Sequence, residues 1–110
     1  MAVTELIRND KLFSLEFTVT DSDSNVVDLT GAVVRFKMAL QGASTSKVSS
    51  TSVSITTATS GICSYTVQSG DLDTVGLYNA ELQIVYSTTT TEAKTITATL
   101  DNIRIVEDLP

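Results

Sequence analysis

Apolar and polar residues alternate along most of the chain with the period of two that marks a strand with one buried face. Phe13, Leu15, Phe17 and Val19 fall on one side, and Ser14, Glu16, Thr18 and Thr20 on the other. Val34, Phe36, Met38 and Leu40 repeat the pattern against Arg35, Lys37 and Ala39. A weaker alternation runs through Val53, Ile55 and Thr57, and another through Cys63, Tyr65 and Val67. The clearest run sets Tyr78, Ala80, Leu82, Ile84 and Tyr86 against Asn79, Glu81, Gln83 and Ser87. A last stretch keeps Ile96, Ala98 and Leu100 in phase, then shifts across Asp101-Asn102 to Ile103 and Ile105. A bulge or kink accounts for such a shift.

No segment holds a sustained helical pattern, although "SGDLDTVG" has room for one helical turn. About seven strands, separated by turn residues, predict an all-β fold, a single antiparallel β-sandwich. Residues 1–10 read as an N-terminal arm or first strand, and 11–110 as the sandwich. From Ala43 to Ser60 the chain is dominated by Ser and Thr, which reads as a loop plus an exposed edge strand at Val53 and Ile55. "STTTTEA", Ser87 to Ala93, reads as a hairpin loop between two long strands.

Local chemistry narrows the sandwich type. In "DLDTVGLYNAEL", an Asp and a Gly precede Tyr78 and an alternating strand follows it. This resembles the tyrosine corner of immunoglobulin-like domains, in which the hydroxyl bonds backbone a few residues upstream. Ala80 stands where antibody domains carry cysteine, and the chain has no tryptophan. An immunoglobulin-like sandwich is therefore expected, and not an antibody domain.

Asp21, Asp23 and Asn25 share the D-x-D-x-N spacing that opens a calcium loop. An EF-hand would also need Gly at its sixth position and a bidentate Glu at its twelfth. Those positions hold Val26 and Ala32. Asp, Asn and Ser also bond their own backbone in turns, so the stretch reads as a turn between strands. Asp71 and Asp73 flank Leu72 in a second turn, where caps favour carboxylates. General acid–base catalysis needs a carboxylate pair held in a cleft, and neither pair is placed for it. No catalytic, cofactor or metal residue is assigned, and the chain is read as not an enzyme.

Composition supports this reading. At 110 residues, 42% hydrophobic and 18% charged, the chain has the size and apolarity of one folded domain. The net charge is −6, and the seven Lys and Arg are dispersed from Arg8 to Arg104, which argues against nucleic acid. Arg35 and Lys37 form the closest approach to a basic patch, on a solvated strand face. No apolar run approaches the roughly 20 residues of a membrane span. "MAVTELIRNDK" lacks the apolar core of a signal peptide, so synthesis in the cytosol is expected. Cys63, the single cysteine, alternates with polar neighbours and reads as a small core residue. With no histidine, a Cys–His pair, a Ser–His triad and histidine-ligated metals are excluded.

One longer pattern remains. "LEFTVTDSDSNVVDLTGAVVRFKM" is followed by "SGICSYTVQSGDLDTVGLYNAELQIVY" and then by "DNIRIVED". This order resembles the immunoglobulin-like domain at the N-terminus of phage baseplate upper proteins and in small tailed-phage virion proteins. The residues that carry it are Asp21, Asp23, Asn25, Asp28-Leu29-Thr30-Gly31-Ala32, Gly61, Tyr65, Asp73, Gly76, Tyr78 and Glu81. Ser24-Asn25 departs from the pattern, which more often has Gly in that turn. The resemblance implies a stand-alone virion module, made in the host cytoplasm, that docks on capsid (as decoration) or on tail or baseplate proteins. A homo-oligomer is compatible with it. The docking candidates are the N-terminal arm, the edge at Val53 and Ile55, and the loop Ser87 to Ala93. The alternative is a carbohydrate- or host-surface-binding module, which usually needs an aromatic platform.

Overall fold

In the computed structural model, which describes residues 3–86 and 94–107, every alternating run becomes a strand. The strands are β1 (Val3–Ile7), β2 (Ser14–Thr18), β3 (Ala32–Leu40), β4 (Val48–Ser50), β5 (Val53–Thr57), β6 (Ile62–Thr66), β7 (Gly76–Tyr86), β8 (Lys94–Thr99) and β9 (Asn102–Val106). A 3₁₀ turn at Ala58–Ser60 is the helical element among the described residues. One sheet has the order β1-β9-β7-β3-β4, with β8 also on β7, and the other has the order β2-β6-β5. The two pack face to face, so the all-β sandwich is borne out.

β7 organises the larger sheet. One of its edges pairs with all of β3, from Ala32 opposite Tyr86 to Leu40 opposite Tyr78. Its other edge is shared, with Glu81–Tyr86 against β8 and Gly76–Tyr78 against β9. Between those pairings Asn79 and Ala80 face three residues, Leu100, Asp101 and Asn102. That extra residue is the bulge expected from the phase shift, and it turns Ile103 and Ile105 inward.

The first strand within residues 1–10 is present, but its partner was not expected, nor was the short β4. β1 adds to β9 in parallel, with Val3 opposite Asn102 and Ile7 opposite Val106. Parallel pairing needs no local turn, so nothing near β1 in the sequence announces its partner. β4 pairs three residues with β3 and is too short to show a period. The fold therefore has nine strands among the described residues, and one pair is not antiparallel.

The core lies between the sheets. Phe36 of β3 stacks on Tyr65 of β6 with ring centroids 4.7 Å apart, and on Phe17 of β2 at 5.7 Å. Val34, Met38, Leu82, Ile84 and Ile105 complete the layer from the larger sheet, and Cys63 faces them from the smaller. Leu29 and Leu72 enter from loops. No buried polar or charged residue interrupts the cluster among the described residues. Among these residues no helix is long and apolar enough to cross a membrane.

Candidate functional site

The aspartates that invite a chemical reading lie in turns, and the structure shows what each is bonded to. The first aspartate pair forms a closed turn. Asp21 Oδ1 accepts the backbone N–H of Asp23 at 2.9 Å and that of Asn25 at 3.0 Å. The Asp21 N–H donates to the Asn25 carbonyl, and Ser24 takes a left-handed φ of 66°. Thr20 bridges Val26 across the base. This is the Asx-type turn that the residue types predict.

The adjoining "DLTGA" is a corner that seats Leu29. Asp28 Oδ1 accepts both the N–H and the hydroxyl of Thr30, at 2.9 and 2.6 Å. These bonds, the hydroxyl foremost, hold the Asp28 carboxyl below its ordinary pKa. The Leu29 N–H donates to the Ala58 carbonyl, and the Tyr86 hydroxyl donates to the Asp28 carbonyl at 2.6 Å. The motif thereby joins the 3₁₀ turn, β3 and the end of β7.

At the opposite end, Asp71 and Asp73 have separate partners. The Tyr65 hydroxyl donates to Asp71 Oδ2 at 2.5 Å, and the Gln68 N–H donates to the same oxygen at 2.9 Å. Burial, reinforced by that carboxylate, pushes the Tyr65 phenol well above its usual range. Asp73 accepts from Lys47 and from the Thr74 hydroxyl. The Lys47 bond is the main reason that the Asp73 carboxyl lies below its ordinary value, and the same bond raises Lys47. Both aspartates therefore hold turns, as their positions predict.

Two consequences can be measured here. A carboxylate with a depressed folded pKa contributes stability that is present above its unfolded value of about 3.9 and lost as pH falls through the folded one. Asp73 and Asp28 should thus make the thermal midpoint fall below about pH 4. Asp73→Asn should lower the midpoint at neutral pH and flatten its acid decline, as read by circular dichroism melts from pH 2 to 7.

The tyrosine corner is present: the Tyr78 hydroxyl donates to the Thr74 carbonyl at 2.7 Å. Its ring is buried on β7 between the sheets. Tyr78→Phe leaves that carbonyl unpaired and should cost about 1–2 kcal/mol. A lowered urea midpoint at unchanged slope would report it.

The remaining candidates sort by exposure. Cys63 is fully buried, and burial raises its thiol. Lys37 pairs with Glu81 at 3.4 Å, and Arg35 donates to the Ser49 hydroxyl, so the basic face is bonded within its own sheet. Val53 and Ile55 lie on β5, the edge strand expected there. The N-terminal segment is tied down by β1 and by an Arg8–Glu107 ion pair at 3.2 Å. The loop Ser87 to Ala93 lies outside the described residues. The Tyr65–Asp71 bond and the second open edge, at β2, were not foreseen. The first needs a contact that only the fold creates, and the second needs the strand order.

The strands and their turn networks define an all-β sandwich domain. The chain belongs to the BppU N-terminal domain family, that of the phage baseplate upper protein, whose model matches residues 7–108. The resemblance carried by the turn and strand motifs is thus borne out over nearly the whole chain. Membership makes the protein a structural component of a phage baseplate or tail, and so of the virion. Among curated proteins none matches the chain.

Proposed function

We propose that the domain is a non-enzymatic docking module, held in the baseplate or tail by protein–protein contact and presenting its remaining surface to neighbours. The observation that carries this reading is the family match over residues 7–108. The bonding described above agrees with it, since the aspartates that invited a catalytic or metal reading serve turns. The tyrosine corner supports an immunoglobulin-like sandwich as the scaffold. A carbohydrate platform finds little support, because the rings of Tyr65 and Tyr78 are interior and that of Tyr86 is half-buried.

The test is mass spectrometry on density-gradient-purified particles, with copy number scaled to the major capsid protein. A few to a few dozen copies per particle are expected. Near-stoichiometric abundance would instead make the domain a capsid decoration. Absence from particles would overturn the virion reading.

A further inference from the structure

The two sheets differ in width. Five strand positions of the larger sheet face three of the smaller, and β2 is the last strand of the smaller one. Beyond β2 the inner face of the larger sheet continues without a covering strand among the described residues. Leu15 and Phe17 on β2, and Leu100 and Ile103 across from them, wall a gap of about 390 Å³ there. Glu16 and Asp101 stand at its rim.

The backbone polarity of β2 is fixed by its flanking bonds. The Val19 N–H donates to the Gly61 carbonyl, and the Val67 N–H donates to the Phe13 carbonyl. In the same register Leu15 faces Tyr65 and Phe17 faces Cys63. The odd-numbered residues therefore form the bonded pairs with β6, and the main-chain groups of Ser14, Glu16 and Thr18 point to the open edge. An edge of this kind is a template for an added strand.

Charge selects the occupant. Glu16 and Asp101 enter no ion pair among the described residues, whereas Arg8, Lys37 and Lys47 each have an acidic partner. A second copy is disfavoured. The full-length antiparallel register of β2 on itself sets Glu16 opposite its own copy, and like charges directly opposite destabilise a ladder.

We propose that the open edge of β2 receives an extended strand from a neighbouring virion protein, with apolar residues filling the gap and a lysine or arginine on its outer face meeting Glu16. This rests on the reading of the domain as a docking module and names its docking edge. The added strand completes the smaller sheet and covers Leu100 and the inner side of β8.

The experiment uses the ¹⁵N-labelled full chain and two synthetic ten-residue peptides. One alternates Val and Thr around a central Lys, and the other carries Glu in its place. The Lys peptide should slow amide exchange at Ser14, Glu16 and Thr18 by about tenfold or more, and bind at least about tenfold tighter than the Glu peptide. Glu16→Lys should reverse that preference while leaving the melting midpoint unchanged. Equal binding of both peptides, perturbation confined to β1, β4 or β5, no binding at millimolar concentration, or a dimer abolished by Glu16→Lys would each overturn the proposal. The particle measurement is separate. A domain absent from particles that still prefers the Lys peptide at β2 defeats the docking-module reading and keeps the edge. A domain present in particles whose Glu16→Lys form is incorporated equally well defeats the edge and keeps the reading.

Discussion

Phe36→Ala should lower the unfolding free energy by about 3–5 kcal/mol, the range for emptying a large aromatic site in a packed core. The ring is 1% exposed and is stacked on partners from two strands of the opposite sheet. Truncation removes the buried area and both stacked pairs, each worth about 0.5–1.5 kcal/mol beyond area alone. At about 4–8 °C per kcal/mol for a domain of this size, the thermal midpoint should drop by roughly 20 °C. Phe36→Leu should recover part of the loss, because it refills most of the volume but forfeits both stacked pairs. Val33→Ala on the same strand is the control. Val33 is 54% exposed, so its change should stay within about 0.5 kcal/mol. Urea titration of the three variants checks all of this. A loss below about 1 kcal/mol for Phe36→Ala would mean that the sheets are not held together by this stack.

What the sequence made legible follows from the range of its signals. Alternation is local, so β3 and β7 could be read residue by residue. The phase shift at Asp101-Asn102 was likewise sufficient to locate the bulge. The tyrosine corner spans five residues, from Thr74 to Tyr78, and was legible for the same reason. Pairing between distant segments leaves no such trace. β1 and β9 are parallel strands from opposite ends of the chain, joined by no turn whose residues could suggest them. The candidate edges show the same division. The edge at Val53 and Ile55 was visible as a Ser/Thr-rich alternating stretch. The edge at β2 belongs to a strand as regular as any other, and becomes an edge only because the smaller sheet stops there. The family's motif residues prove to be mostly turn and corner residues. This explains why they carry the family pattern and yet leave the docking surface unmarked.

Gly61→Ala should be nearly as damaging as the loss of Phe36, though it adds only one methyl group. Gly61 has a left-handed φ of 68° and closes the 3₁₀ turn by donating its N–H to the Ala58 carbonyl. A Cβ there would lie 2.7 Å from the Val19 carbonyl oxygen and 2.8 Å from that of Val27. Both are backbone atoms, and Val19 is itself bonded to the Gly61 carbonyl and to the Val27 N–H, so neither can retreat without breaking the junction. The left-handed conformation costs an alanine about 1–2 kcal/mol and the overlap about 1–3 more. A total near 3 kcal/mol is expected, with the thermal midpoint falling by roughly 15 °C. Gly31→Ala separates the two contributions. Its φ of 77° is equally left-handed, but nothing lies within 4 Å of the added carbon. It should therefore lose only the conformational part, about 1–2 kcal/mol. Equal losses at the two sites would mean that the chain around Val19 and Val27 yields to the methyl group. A loss at Gly61 at least about 1 kcal/mol larger would show that three backbone segments are locked together there. That junction holds the start of β6 and the end of β2, so its rigidity also fixes where the open edge of β2 is presented.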